Sequence, residues 1–145
     1  MNKDIKYILL VVLFLEILFT TISLNLLYSY SYSISAIPDL IDNGYNKWVT
    51  NYKIIYSTTF ILNLISLILI LFNHNFGVKL LYLSLSLKSA NIIYYFANNS
   101  FVNKVSEEYK SIPGFTDFNK YNKYATSLFI ISLILEIPLA YLINK

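Results

Sequence analysis

Four apolar runs alternate with polar stretches along the chain, at about residues 5–27, 54–72, 78–97 and 124–143. Each is close to the roughly 20 residues that a helix needs to cross the hydrocarbon core of a bilayer. The pattern predicts four membrane-spanning helices in a single domain covering residues 1–145. Two long loops are expected at about 28–53 and 98–123, and a tight turn, Asn73-His74-Asn75-Phe76-Gly77, between the second and third spans. So short a connection makes those two spans antiparallel neighbours. The expected fold class is an all-α integral membrane protein: an antiparallel four-helix transmembrane bundle with two long loops on one side.

The first run is read as an uncleaved span. It is longer than the roughly 7–15 apolar residues of a signal peptide, and Glu16 interrupts its centre. Trp48 and Tyr52 read as an interfacial belt ahead of the second span. Within the loops, Pro38-Asp39 suits the start of a short helix that Gly44 would end. Val102, Val105 and Tyr109 fall near helical spacing, so a short surface helix is expected before Pro113-Gly114.

Within each span the polar residues recur on one face. They are Glu16, Thr20 and Ser23 in the first, and Thr59, Asn63 and Ser66 in the second. The third carries Ser84, Lys88, Asn91 and Tyr95, and the fourth Ser132, Glu136 and Ala140. Small and polar residues mark helix contacts in lipid, where apolar faces gain nothing by meeting each other. Glu16, Asn63, Lys88 and Glu136 lie near the centres of their spans and so share one depth. A buried polar cluster of Glu16, Asn63, Lys88, Asn91 and Glu136 is therefore expected. A lysine at that depth costs roughly 3 kcal/mol or more and needs a partner, which Glu16 or Glu136 supplies. Two carboxylates against one ammonium leave an excess negative charge, so one carboxyl is expected to keep a proton, or the two to share one. Pro138, beside Glu136, is expected to kink the fourth helix. Such a cluster serves either to fix helix register or as an ion or substrate site. For Asn63 and Asn91 helix–helix hydrogen bonding is the simpler role.

Composition narrows the function classes. Hydrophobic residues make up 57% of the chain and charged ones 13%, against about 25% charged in soluble domains. The net charge is +3, all basic residues are lysines, and no dense basic run points to nucleic acid. Without cysteine the chain has no disulfide, thiolate metal site or thiol nucleophile. The single histidine, His74, reads as an exposed turn residue and cannot build a multi-histidine metal site. No metal, cofactor or catalytic constellation is expected. With four spans, the termini and the 73–77 turn share a side that carries Lys3, Lys6, Lys79 and Lys145 in short segments. The raw count, six lysines in the long loops, favours the loops inside, whereas the density favours termini in the cytoplasm and a plasma (inner) membrane location, which is the orientation expected.

Glu16, within Leu15-Glu16-Ile17, looks like the single acidic residue in the first span of the small multidrug resistance transporters, which also have four spans. The resemblance covers that one residue and the span count. The family's short loops and glycine-rich third span have no counterpart here, and Lys88 and Glu136 are additional, so no function is carried over. Claudin-like and tetraspanin-like proteins share the long-loop layout, but their cysteines are missing. The leading expectation is a non-enzymatic accessory, immunity or assembly component that acts through protein partners on its aromatic, mixed-charge loops. The alternative is a small proton-coupled transporter or channel using Glu16 and Glu136 with Lys88 at the bilayer midplane. In that case a homo-oligomer is needed, because four helices enclose little space.

Overall fold

The structure, a computed structural model, describes residues 1–35, 44–109, 111 and 115–145. Among the described residues it is all helical, with no strand. Helix α1 spans Lys3–Ser35, α2 Tyr45–Leu71, α3 Asn75–Ala97, α4 Asn99–Glu108 and α5 Phe115–Leu142. Among the described residues three segments are long and apolar enough to cross a membrane: Lys3–Ser29, Tyr45–Leu71 and Lys120–Leu142. The run expected as a third span is α3, 23 residues long. Lys79, Lys88, Asn91 and its serines make it less apolar than the other three.

The helix ends are set by local chemistry. Asn2 caps α1: its Oδ1 accepts from the backbone N–H of Asp4 at 3.1 Å and of Ile5 at 3.2 Å. At the end of α2, Asn73 takes a left-handed conformation, φ 60°, which asparagine tolerates better than most residues. Its N–H donates to Ile70 O at 3.0 Å and that of His74 to Leu69 O at 2.8 Å, the paired bonds of a Schellman stop. His74 then opens α3, its Nδ1 accepting from the Phe76 N–H. Gly77 completes the reversal, because a Cβ there would sit 2.9 Å from the Ile70 backbone nitrogen and from the Leu69 Cβ. The sequence therefore turns within three residues and lays α3 against α2.

The four long helices touch in a ring: α1 on α2, α2 on α3, α3 on α5 and α5 on α1. Both chain ends meet the α2–α3 turn at one end of the molecule. There the Asn2 N–H donates to Ile143 O at 2.6 Å. Lys6 Nζ donates to Leu71 O at 3.0 Å and to Asn73 Oδ1 at 2.8 Å. An aliphatic layer fills this terminal end, built from Leu9, Leu13, Ile70, Val78, Leu81, Leu85, Ala140 and Ile143. The opposite end holds an aromatic layer, with Tyr45, Trp48, Tyr52, Tyr56, Tyr95 and Phe129 around Leu27, Val102 and Val105.

That aromatic layer explains why the stretches expected as long loops are largely helical. Tyr45, Trp48, Val49, Tyr52 and Tyr56 recur at helical spacing and are all buried, so α2 starts two turns before its apolar run. Asn122, Ala125, Thr126 and Phe129 do the same for α5. The expected surface helix is α4, and it buries Val102 and Val105 in this layer. Trp48 and Tyr52 are accordingly core residues and not an interfacial belt: Trp48 is 3% exposed, its ring 5.6 Å from that of Tyr52. The short helix expected after Pro38 lies outside the described residues.

Trp48 is the sole tryptophan, so its fluorescence reports on this layer alone. Its emission should be blue-shifted and resist both aqueous iodide and headgroup-level lipid quenchers. Strong quenching by either would place it at a surface and contradict the aromatic core.

Candidate functional site

Between the two layers, midway along the helices, lies a buried polar layer. Lys88 Nζ from α3 stands 2.6 Å from Glu16 Oε1 of α1. The same ammonium donates to Glu136 Oε2 of α5. The Lys88 and Glu136 side chains are fully buried, and that of Glu16 is 2% exposed. Both carboxyl groups lie against that one ammonium and so stand close to each other. One lysine thus joins three helices, and two carboxylates share its charge.

Asn63 ties α2 into the group. Its Nδ2 donates to Glu16 Oε1 at 2.9 Å, and its Oδ1 accepts from the Ser84 hydroxyl of α3. Asparagine suits this place because its amide donates on one side and accepts on the other. All four long helices are therefore linked through Glu16, Asn63, Ser84, Lys88 and Glu136. Asn91, one turn beyond Lys88, is also buried, but its amide makes no hydrogen bond. Glu16 Oε2 and Glu136 Oε1 likewise have no hydrogen-bond partner. Pro138 lies inside α5, which continues to Leu142. His74 is exposed at the turn.

The helical spacing on each face accounts for the layer. Glu16 and Thr20 are one turn apart, as are Thr59 and Asn63, Ser84 and Lys88, and Ser132 and Glu136, and all eight are buried. Thr20, Thr59 and Ser132 turn their hydroxyls back to carbonyls of their own helices. Their hydrogen-bonding capacity is thus met locally, and the ionic contacts are left to the longer side chains.

Further polar residues join at the aromatic end. Tyr52 OH lies 3.0 Å from Thr126 Oγ1 and 3.4 Å from Asn122 O, linking α2 to α5. Their signal was present in the chain: Asn122, Thr126 and Phe129 extend the Ser132–Glu136 face by whole turns. Asn122 lies before the apolar run, where hydropathy alone predicts a loop. Among the described residues, no group of three or more His, Asp or Glu side chains is placed to hold a metal ion. Lateral grooves of about 340 and 190 Å³ run between α1 and α5. Glu16 and Ser132 border the smaller one.

Removing one member of a buried ion pair strands the other, at a cost of about 3–5 kcal/mol. Lys88→Met should therefore lower stability strongly in detergent, and Glu16→Gln or Glu136→Gln in the Lys88→Met background should restore part of it. Thermal-unfolding cycles should give a coupling above about 1 kcal/mol for each Lys–Glu pair. Additive effects at both pairs would refute the three-way contact.

The chain matches no known protein family, and neither the curated proteins nor the solved structures offer a relative.

Proposed function

We propose that the chain is an integral membrane protein of four antiparallel spans, with α3 as the fourth, and that its midplane ionic layer carries a proton. It acts as a small proton-coupled transporter or channel. The observation that carries this reading is Lys88 held between Glu16 and Glu136, with one oxygen of each carboxylate unpartnered. Two carboxylates and one ammonium stay neutral only when one proton is held among them, so the layer has a reason to bind and release one. Intramembrane ionisable groups commonly mark ion pathways and proton relays.

The membrane reading of α3 rests on its outer face. Its buried polar residues, Ser84, Lys88 and Asn91, all point inward, while Leu83, Ile93 and Phe96 are at least half exposed. An outward apolar face around an inward polar one suits a helix surrounded by lipid. The short lysine-bearing segments at the terminal end favour cytoplasmic termini in the plasma (inner) membrane. The ionic layer fills the centre of the helix ring, so conduction calls for a homo-oligomer or for movement between helices.

A second reading keeps the protein as an accessory, immunity or assembly component working through a protein partner. It is favoured by one feature: Lys88 is met on two sides by the molecule's own carboxylates, as a purely structural lock requires. Proteoliposomes separate the two. Proton flux driven by an imposed potential should fall at least about a hundredfold in Glu16→Gln or Glu136→Gln, the scale at which a positioned proton carrier contributes. Full flux in both variants, or no flux in the parent chain, would end the transport reading and leave the partner reading.

A further inference from the structure

Buried polar groups lacking hydrogen bonds are not spread evenly about the ionic layer. On its aromatic side they are Asn91 Nδ2 and Oδ1, Tyr56 OH, Asn122 Nδ2 and Oδ1, and Trp48 Nε1. On its aliphatic side Ser66 Oγ is the one among the described residues. A buried polar group left unmet is costly, so such groups in native proteins are met by ordered water where protein partners are missing.

Their order along the helices makes a file. Asn91 is one turn from Lys88 and lies beside the Tyr52 side chain. Tyr52 OH reaches Thr126 Oγ1 at 3.0 Å and Asn122 O at 3.4 Å. Near this end Asn51 Nδ2 donates to Tyr94 OH at 3.4 Å, and both side chains are partly exposed. A second branch leads to Glu16: the Tyr56 hydroxyl neighbours Thr20 and Ser23. In the opposite direction lies the aliphatic layer of Leu9, Leu13, Ile70, Val78, Leu81 and Leu85, where among the described residues Ser66 Oγ is the one unmet group and the Tyr82 hydroxyl donates to Ala140 O at 3.1 Å.

We infer that the aromatic-side file, completed by ordered water, is a proton path that serves Glu16 and Glu136 from the α4 end alone, with the aliphatic layer as its closed end. A proton enters past Asn122 and Tyr52, passes Asn91, and is held by the carboxylate pair. The groups facing that pair are Lys88 from α3, Asn63 and Tyr56 from α2, and the opposing carboxyl from α1 or α5. Hydroxyl groups and ordered water can pass a proton through a single oxygen, and the amides suit the path as the groups that hold that water, because each accepts on one side and donates on the other. The inference rests on the proton-carrying reading for its purpose, but its physical content, a wet file on one side and a dry layer on the other, is measurable separately.

The test is water-to-protein magnetisation transfer by solid-state NMR on the full chain in lipid bilayers. The side-chain amides of Asn91 and Asn122 should receive water magnetisation as early as that of the exposed Asn103, while the methyl groups of Leu81 and Leu85 stay dry. An Asn91 amide as slow as the Leu81 methyls, or equal wetting of both layers, would overturn the inference. Asn91→Leu should in addition slow hydrogen–deuterium exchange at the Lys88 ammonium by at least about tenfold, the equivalent of one hydrogen bond lost from the path. Unchanged exchange in a folded Asn91→Leu protein also overturns it. If that variant does not fold, the measurement on the parent chain decides alone. A wet file in a protein without proton flux would keep the path and discard only the transport reading.

Discussion

The Lys88 ammonium is the constraint on which the rest of the molecule depends. A fully buried positive charge has to be met by opposite charge close at hand, and the two carboxylates that meet it come from different helices. Their reach fixes how α1, α3 and α5 stand in height and rotation. Asn63 and Ser84 then add α2 to the same level. Apolar side chains could slide past one another by a turn with little penalty; an ammonium between two carboxylates could not. The ionic layer therefore supplies the register, and the layers above and below fill the space that this register leaves.

Those two layers are chemically unlike. The terminal end is closed by aliphatic side chains and tied by short links: Lys6 to the α2–α3 turn, and Asn2 to the end of α5. The other end is packed with tyrosines and one tryptophan, whose hydroxyl and indole groups bring polarity into the core. Tyr56 and Phe129 stack with ring centroids 4.5 Å apart, and Tyr52 and Tyr56 at 6.0 Å, within the range where aromatic pairs add to burial. An aromatic core can carry hydrogen-bonding groups inward where an aliphatic one cannot. The polarity of the molecule along its long axis follows from that choice of side chains.

Much of this was legible in the chain. Polar residues one turn apart in each apolar run placed Glu16, Asn63, Lys88 and Glu136 at one level, because a charge or amide in such a run has few places to go but inward. Ser84 falls on the same face by spacing, one turn from Lys88, but outside the expected cluster. Asn91 belonged to the expected cluster by spacing, yet it lies one turn too far along α3 to reach the carboxylates. The largest misreading was at the helix ends. Tyrosine and tryptophan beside an apolar run suggest a water boundary, and it is the packing of Tyr94 of α3 on Trp48 and of Phe101 of α4 on Tyr45 that makes them core. Hydropathy alone has no access to that contact. The same limit hid Thr126 and Asn122, whose roles depend on facing Tyr52 across two helices.

The pairing of Lys88 also has an order in time. The chain is made from its N-terminus, so Glu16 is already present when Lys88 emerges, whereas Glu136 follows 48 residues later. Until α5 is complete, the lysine has one carboxylate to answer it, and the two charges balance. The last helix then brings a second acid to a pair that is already neutral, and it docks without leaving a net charge only with a proton in hand. On the proton-carrying reading proposed above, completion of the fold is itself a protonation event, and the acidity around the nascent chain becomes one of the conditions under which the last helix takes its place.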